Sequence, residues 1–281
     1  MDKFKYFLLT KSLGLYINLL SYISPKKASL LAYRLFSEPR TGRLMREMLP
    51  EVLKNTPAET FRHNGHEFEA YIWKGDEKVI LLVHGWESNA SRWERMLPFL
   101  QNSGHTIVAI DGPAHGLSSG REFNVPVYAE FIDVAVKKFN PDYLIGHSIG
   151  GAACVYYQYK YQNETLKKMV LLGAPSDLKT LINNYVSLLS LNSRMVSLLE
   201  NYFLEKFRFK LDDFSGRIFG PKLSLKGIIA HDVDDTIVAF DEGKKIAGSW
   251  KHATFIETKG LGHALHDDDL YTRIMKFLAE E

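Results

Sequence analysis

The chain of 281 residues holds a single cysteine, Cys154. No intrachain disulfide and no cysteine cage for a metal can form, and a reducing, cytoplasmic compartment is expected. An excess of one charge is also missing. Thirty-five basic residues face 33 acidic ones, a net charge of +2, too even for the basic footprint of nucleic-acid binding. Long apolar runs are absent as well. Residues 1–23 start basic and turn apolar like a signal peptide, but Lys11 interrupts the run and no small-residue cleavage site follows. A membrane-crossing helix, which wants about 18 uninterrupted apolar residues, is excluded on the same ground. The sequence lacks an H-E-x-x-H motif, clustered Cys and His, the lysine of a phosphate loop and a dinucleotide fingerprint after the first strand. No metal and no cofactor are therefore expected.

What is present is an alternation of short apolar runs with helical patterns. "HEFEAYIW" reads as a strand, a turn at Gly75 and Asp76 leads into the buried strand "KVILLVHG", and residues 89–101 read as a helix. The strand "HTIVAID", a helix over "VPVYAEFIDVAVKKF", the strand "DYLIGHS" and a helix from Ile149 to about Tyr161 follow. Then come "KMVLLGAP", "LKGIIAHD", a helix near "FDEGKKIAG", the strand "ATFIETKG" and a closing helix from about Asp267 to Ala279. This order predicts an α/β fold with a mostly parallel sheet covered on both faces.

Two segments break the alternation. Residues 1–56 read as a helical extension, with Ser24 as N-cap and Pro25 at the first position of a helix. Within it Phe4, Phe7, Leu8, Leu15, Leu19 and Tyr22 recur at helical spacing. Such a helix packs on the body of the protein, lies on a membrane surface or forms a self-association contact. The second segment, about 175–222, is helical and rich in Leu, and is expected to be a cap inserted over the carboxyl edge of the sheet within a domain spanning 57–281. Its apolar residues either fill the cap's own core or line an acyl pocket.

"LIGHSIGGAA", residues 144–153, carries the chemistry. Gly146-His147-Ser148-Ile149-Gly150 has the form G-x-S-x-G and lies where a predicted strand meets a predicted helix, the context of a nucleophile elbow. A sharp turn there exposes the Ser148 hydroxyl, whereas a serine that merely fits a tight turn would not need that context. From about residue 60 to the end the chain resembles the α/β-hydrolases. "LLVHGW" resembles the family's oxyanion loop, and "DGPAHGLSSG" its D-x-P-G-H-G-x-S segment, with Ala114 where the family usually has glycine.

The resemblance implies a triad in the order Ser, acid, His. A serine hydroxyl needs a base to take its proton, and the base needs an orienting partner. "GLGHAL" resembles the histidine loop and nominates His263; His266 is read as a surface residue, His231 and His252 as structural, and His84 and His147, beside motif glycines, as shaping loops. "HDVDDTIV" resembles the acid loop and nominates Asp235, with Asp234, Asp232 and, one strand earlier, Asp177 as alternatives. The family's oxyanion donors would be the backbone N–H groups of Ile149 and Trp86. The expected activity is hydrolysis of a carboxylic ester with an apolar acyl or alkyl part through an acyl-enzyme. Cleavage or transfer at a carbon–carbon or amide bond, or a ligand-binding, receptor-like protein on the same scaffold, are the alternatives.

Overall fold

The computed structural model describes residues 3–75 and 78–280; Asp76, in the expected turn, lies outside the described residues. In chain order the elements are α1 (Lys3–Ile23), α2 (Pro25–Ser37), α3 (Glu51–Lys54), β1 (Ala58–His63), β2 (His66–Trp73), β3 (Val79–Val83), α4 (Leu97–Gln101), β4 (Thr106–Ile110), α5 (Val125–Phe139), β5 (Tyr143–His147), α6 (Ile149–Tyr161) and β6 (Lys168–Leu172). They continue with α7 (Leu178–Leu189), α8 (Ser193–Phe207), α9 (Gly216–Phe219), β7 (Lys226–Asp232), α10 (Phe240–Ala247), β8 (Ala253–Thr258) and α11 (Asp268–Ala279). Two compact units result, Met1–Glu38 with Asp177–Ser215 and Pro39–Ser176 with Gly216–Glu281.

The larger unit holds one sheet in the order β1-β2-β4-β3-β5-β6-β7-β8. β1 and β2 pair antiparallel, as do β2 and β4, and the remaining pairs are parallel. Along β3 the side chains alternate between faces. Ile80 and Leu82 join the core that α4 and α11 close with Leu97, Leu100, Leu270 and Ile274. On β2, Phe68 stacks on Phe131 of α5 at 4.3 Å between ring centroids. Burial on both faces is why β3, β5 and β6 read as continuous apolar runs in the sequence.

Three local expectations change. The helix expected over 89–101 is a 3₁₀ turn, Ala90–Arg95, followed by the short α4. Pro98 has no N–H and its ring would meet the carbonyl of Glu94, so one continuous helix cannot cross it. β1 was not anticipated from the sequence; its half-exposed edge position leaves "AETFRH" without a clean apolar alternation. Ser24 occupies the cap position before Pro25, but its side chain makes no capping bond.

The expected extension of residues 1–56 divides at Pro39. Beyond it, Leu44 N–H donates to the Gly116 carbonyl (2.9 Å), Gly116 N–H to that of Gly42 (2.8 Å), and Leu53 is buried in the sheet core, so 39–56 belong to the larger unit. At the other end, Gly216 N–H donates to the Ser176 carbonyl (3.0 Å) and Phe219 packs 4.5 Å from the Tyr159 ring. The inserted helices therefore close at Ser215 rather than near 222.

The smaller unit joins α1 and α2 to α7 and α8. Ile17, Ala28, Ala32 and Tyr33 share a buried core with Ile182, Leu189, Met195, Leu199 and Phe203. Gly14 faces the carbonyl of Leu189 so closely that a Cβ there would fall 1.7 Å from the oxygen. Lys11 Nζ donates to the carbonyls of Ser187 (3.2 Å) and Leu188 (2.9 Å) at the end of α7, and Tyr185 OH donates to that of Ala32 (2.8 Å). Much of the apolar surface that set the inserted segment apart in the sequence thus fills this unit's own core.

Lys168, at the start of β6, is 4% exposed. Its Nζ donates to the carbonyls of Phe277 (2.6 Å) and Leu278 (3.4 Å) and to that of Glu280, satisfying orphan acceptors at the end of α11. Lys168→Met keeps the apolar stem and leaves those carbonyls unpaired. A loss of about 1–3 kcal/mol in urea unfolding is expected. An unchanged midpoint would show that water replaces the ammonium at no cost.

Candidate active site

Ser148 follows the fully buried strand β5 and precedes α6. Its backbone, φ 53° and ψ −130°, is one that side chains other than glycine rarely adopt. Strain of this kind costs about 1–3 kcal/mol and persists only where the surroundings enforce it. Ser148 N–H donates to the Leu172 carbonyl at the end of β6 (2.8 Å), and its own carbonyl accepts from Gly151 N–H (2.8 Å). Crowding by neighbouring backbone explains the flanking glycines. A Cβ at Gly146 would lie 2.6 Å from Gly151 Cα, and one at Gly150 would lie 2.2 Å from the His84 carbonyl oxygen.

His263 comes from the 3₁₀ turn Gly262–Ala264 after β8. Its Nε2 lies 2.9 Å from Ser148 Oγ, and its Nδ1 lies 2.7 Å from Asp235 Oδ2. Two further side chains hold the turn itself. His147 Nε2–H donates to the His263 carbonyl (2.9 Å), and Arg92 Nη2 donates to that of Ala264 (2.8 Å). Burial, with Arg92 adding to it, pushes His147 well below the usual imidazole range, so it is neutral at pH 7. A carbonyl only accepts, which assigns the His147 proton to Nε2.

Asp235 stands in the loop after β7 with a fully buried side chain. Its Oδ1 accepts from the N–H groups of Ile237 (2.8 Å) and Val238 (2.9 Å), and His231 Nε2 lies 3.5 Å from Oδ2. Burial opposes ionisation, but the contacts with His231, His263 and the two N–H groups outweigh it and hold the carboxyl well below its ordinary range. Asp235 is a carboxylate at any pH near neutrality.

The alternative acids point elsewhere. Asp232 accepts from Thr258 Oγ1 (2.8 Å) and Leu261 N–H (3.0 Å), tying the end of β7 to the segment after β8. Asp234 accepts from Gly260 N–H (3.2 Å), and Asp177, in the smaller unit, accepts from Ser215 Oγ. Among the other histidines, His266 pairs with Tyr271 OH (2.6 Å) and His252 is exposed. His84 donates to the Gly85 carbonyl (2.7 Å) and accepts from Gly112 N–H (2.8 Å); burial pushes its pKa down to about 3.

Trp86 lies in the turn after β3, its ring edge-on to His115 and Phe123 at 5.5 Å each. The preceding Gly85 faces the serine, where a Cβ would fall 2.8 Å from Ser148 Cβ. Ile149 opens α6, whose first N–H groups have no partner within the helix. Ala114 takes φ 62°, the left-handed conformation a glycine adopts freely, so the departure at this position is absorbed by the backbone. The holding roles of His147 and Arg92 escaped sequence reasoning. Both depend on contacts between residues more than 100 positions apart, which no local pattern encodes.

These residues converge at the carboxyl ends of β3, β5, β7 and β8, the edge where open α/β sheets bind ligands. The sequence pattern of the alpha/beta hydrolase fold matches residues 78–220, just over half of the chain. The chain belongs to that family. It is 35% identical over 102 residues to a serine hydrolase-like protein of Homo sapiens, covering 34% of this chain and 49% of that one. It is 31% identical over 105 residues to a bifunctional esterase/perhydrolase of Acinetobacter calcoaceticus, covering 35% and 37%. The matched segments thus span less than half the length of these two curated relatives. Among solved structures, a bromoperoxidase from Bacillus anthracis superposes with a TM-score of 0.62 at 18% identity, over 80% of this chain and all of that one, a likeness of fold.

Proposed function

We propose that this chain hydrolyses carboxylic esters with an apolar acyl or alkyl part, using Ser148 as nucleophile, His263 as base and Asp235 as the orienting acid. The observation that carries the reading is the continuous chain of hydrogen bonds from Ser148 Oγ through His263 to Asp235, 2.9 and 2.7 Å long. The esterase among the relatives supports the bond type.

Each step follows from that geometry. Asp235, ionised, accepts a hydrogen bond from His263 Nδ1–H, which keeps that proton on Nδ1 and leaves the Nε2 lone pair toward Ser148. As Oγ attacks the ester carbonyl carbon, Nε2 takes the hydroxyl proton, and the carbonyl oxygen becomes an oxyanion. The N–H groups of Ile149 and Trp86 are the proposed donors to it, with the N-terminus of α6 adding a favourable dipole. Losing one such donor typically costs about 3 kcal/mol of barrier. Collapse expels the alcohol, which takes the proton from His263, and leaves an acyl group on Oγ. A water molecule then gives a proton to Nε2 as it attacks the acyl carbon; the bond to Oγ breaks, Oγ takes that proton back from Nε2, and the acid leaves with Ser148 and His263 restored.

The test is a series of p-nitrophenyl esters of increasing acyl length combined with a fluorophosphonate probe. Turnover with a preferred chain length, together with loss of activity as one phosphonate per chain becomes attached to Ser148, is expected. Silence across the series, or a label on another residue, would sink the proposal.

A further inference from the structure

Helix α1 is apolar on two sides, and the smaller unit covers only one of them. Gly14, Ile17 and Ser21 are buried, with Leu13 and Leu20 half-buried beside them. A second stripe runs along the helix through Leu8, Leu15, Leu19, Tyr22 and Ile23, at the spacing that places residues on one face. There Leu15 is 61% exposed, Leu19 57%, Tyr22 68% and Ile23 83%. A helix apolar all round is normally buried all round, and a contiguous exposed apolar patch marks an interaction surface.

Charge identifies the occupant. Between Asp2 and Glu38 the chain carries Lys3, Lys5, Lys11, Lys26, Lys27 and Arg34 and no further acid, and with Arg34 paired to Glu38 the excess is still positive. Lys5, Lys26 and Lys27 are exposed, and the Arg194 guanidinium lies 5.2 Å from the centre of the Tyr22 ring, at the border of the stripe. A second copy packed on this face would bring like charges together, whereas an anionic bilayer supplies both an apolar layer and the missing negative charge. Tyrosine at the edge of the stripe suits the boundary between acyl chains and headgroups. No helix among the described residues is long and apolar enough to cross a membrane, so α1 would lie in the plane of the surface.

We infer that the exposed face of α1 docks this protein on anionic lipid surfaces. The inference stands apart from the ester chemistry. Full-length protein is expected to co-sediment with vesicles of phosphatidylcholine containing about 30% phosphatidylglycerol, and roughly tenfold less with phosphatidylcholine alone or at high salt. A fourfold variant, Leu15→Ser, Leu19→Ser, Tyr22→Ser and Ile23→Ser, changes only exposed side chains and keeps the buried stripe. It is expected to stay in the supernatant while retaining the wild-type circular dichroism spectrum and urea-unfolding midpoint. Wild-type protein remaining in the supernatant overturns the inference, as does a variant that sediments with the wild type. A lipid-free dimer that the fourfold variant abolishes would assign the face to a second copy and overturn it equally.

Discussion

Ser148→Ala is expected to lower ester turnover by about a million-fold while leaving the fold intact, because removing a triad nucleophile costs about as much as removing the whole triad. Among the described residues the hydroxyl makes one hydrogen bond, to His263, and the backbone around it is held by Leu172 and Gly151. Thermal unfolding should therefore change little. Ser148→Gly separates the two demands on the residue. It loses the same activity and relieves a backbone with φ 53°, so a gain of about 1 kcal/mol is expected after glycine's greater chain entropy is set against the released strain. Stopped-flow hydrolysis and urea unfolding on the same preparations measure both. Activity within tenfold of wild type in either variant would remove Ser148 from the mechanism, and a destabilised glycine variant would mean that the turn carries no strain.

The second large effect is at the acid. Asp235→Asn is expected to reduce kcat about 10⁴-fold, since an amide NH₂ facing Nδ1 favours the imidazole tautomer with its proton on Nε2, where the serine proton must go. Asp234→Asn, altering a carboxylate that accepts from Gly260 N–H and faces away from His263, should keep most of the activity. Reversal of that order would move the triad acid to Asp234. The pH dependence has a definite sign. Asp235 is held below its ordinary range in the folded chain, so its contribution to stability is complete above the unfolded carboxylate value near 3.8 and is lost as the pH falls below it. Wild type and Asp235→Asn should therefore draw together in stability toward acid. A gap that widened as the pH dropped would contradict the cause given for the shift.

The route to this site shows how much of it is local. The elbow was legible because a strand, a turn and a helix must meet within a few residues to expose a serine, and glycine is required wherever backbone approaches too closely for a Cβ. The histidine and acid loops could be nominated by motif because each is short and follows its own strand. Choosing among Asp232, Asp234 and Asp235 was different. The resemblance of the loop favours Asp235, but the three carboxylates lie within four residues of one another, and their directions, toward Thr258, Gly260 and His263, are what distinguish them physically.

The sequence by itself determined the alternation of strands and helices from β2 onward, apart from the 3₁₀ turn at 90–95, the mostly parallel character of the sheet and the residues available for nucleophilic chemistry, because periodicity and turn chemistry act over a few neighbouring residues. It could also say that the stretch ending at Ile23, described from Lys3, is a helix with apolar residues on its surface. Only the tertiary structure decided what that helix packs against. Ile17 and Tyr33 share a core with Met195 and Phe203, so the amino-terminal helices and the inserted ones make one unit instead of a separate extension and cap. The same holds for the turn that carries His263, fixed by His147 from β5 and by Arg92 from a 3₁₀ turn. Burial and hydrogen bonding between distant segments are set by how the elements pack, and a pattern that repeats every two or four residues contains no information about its partner.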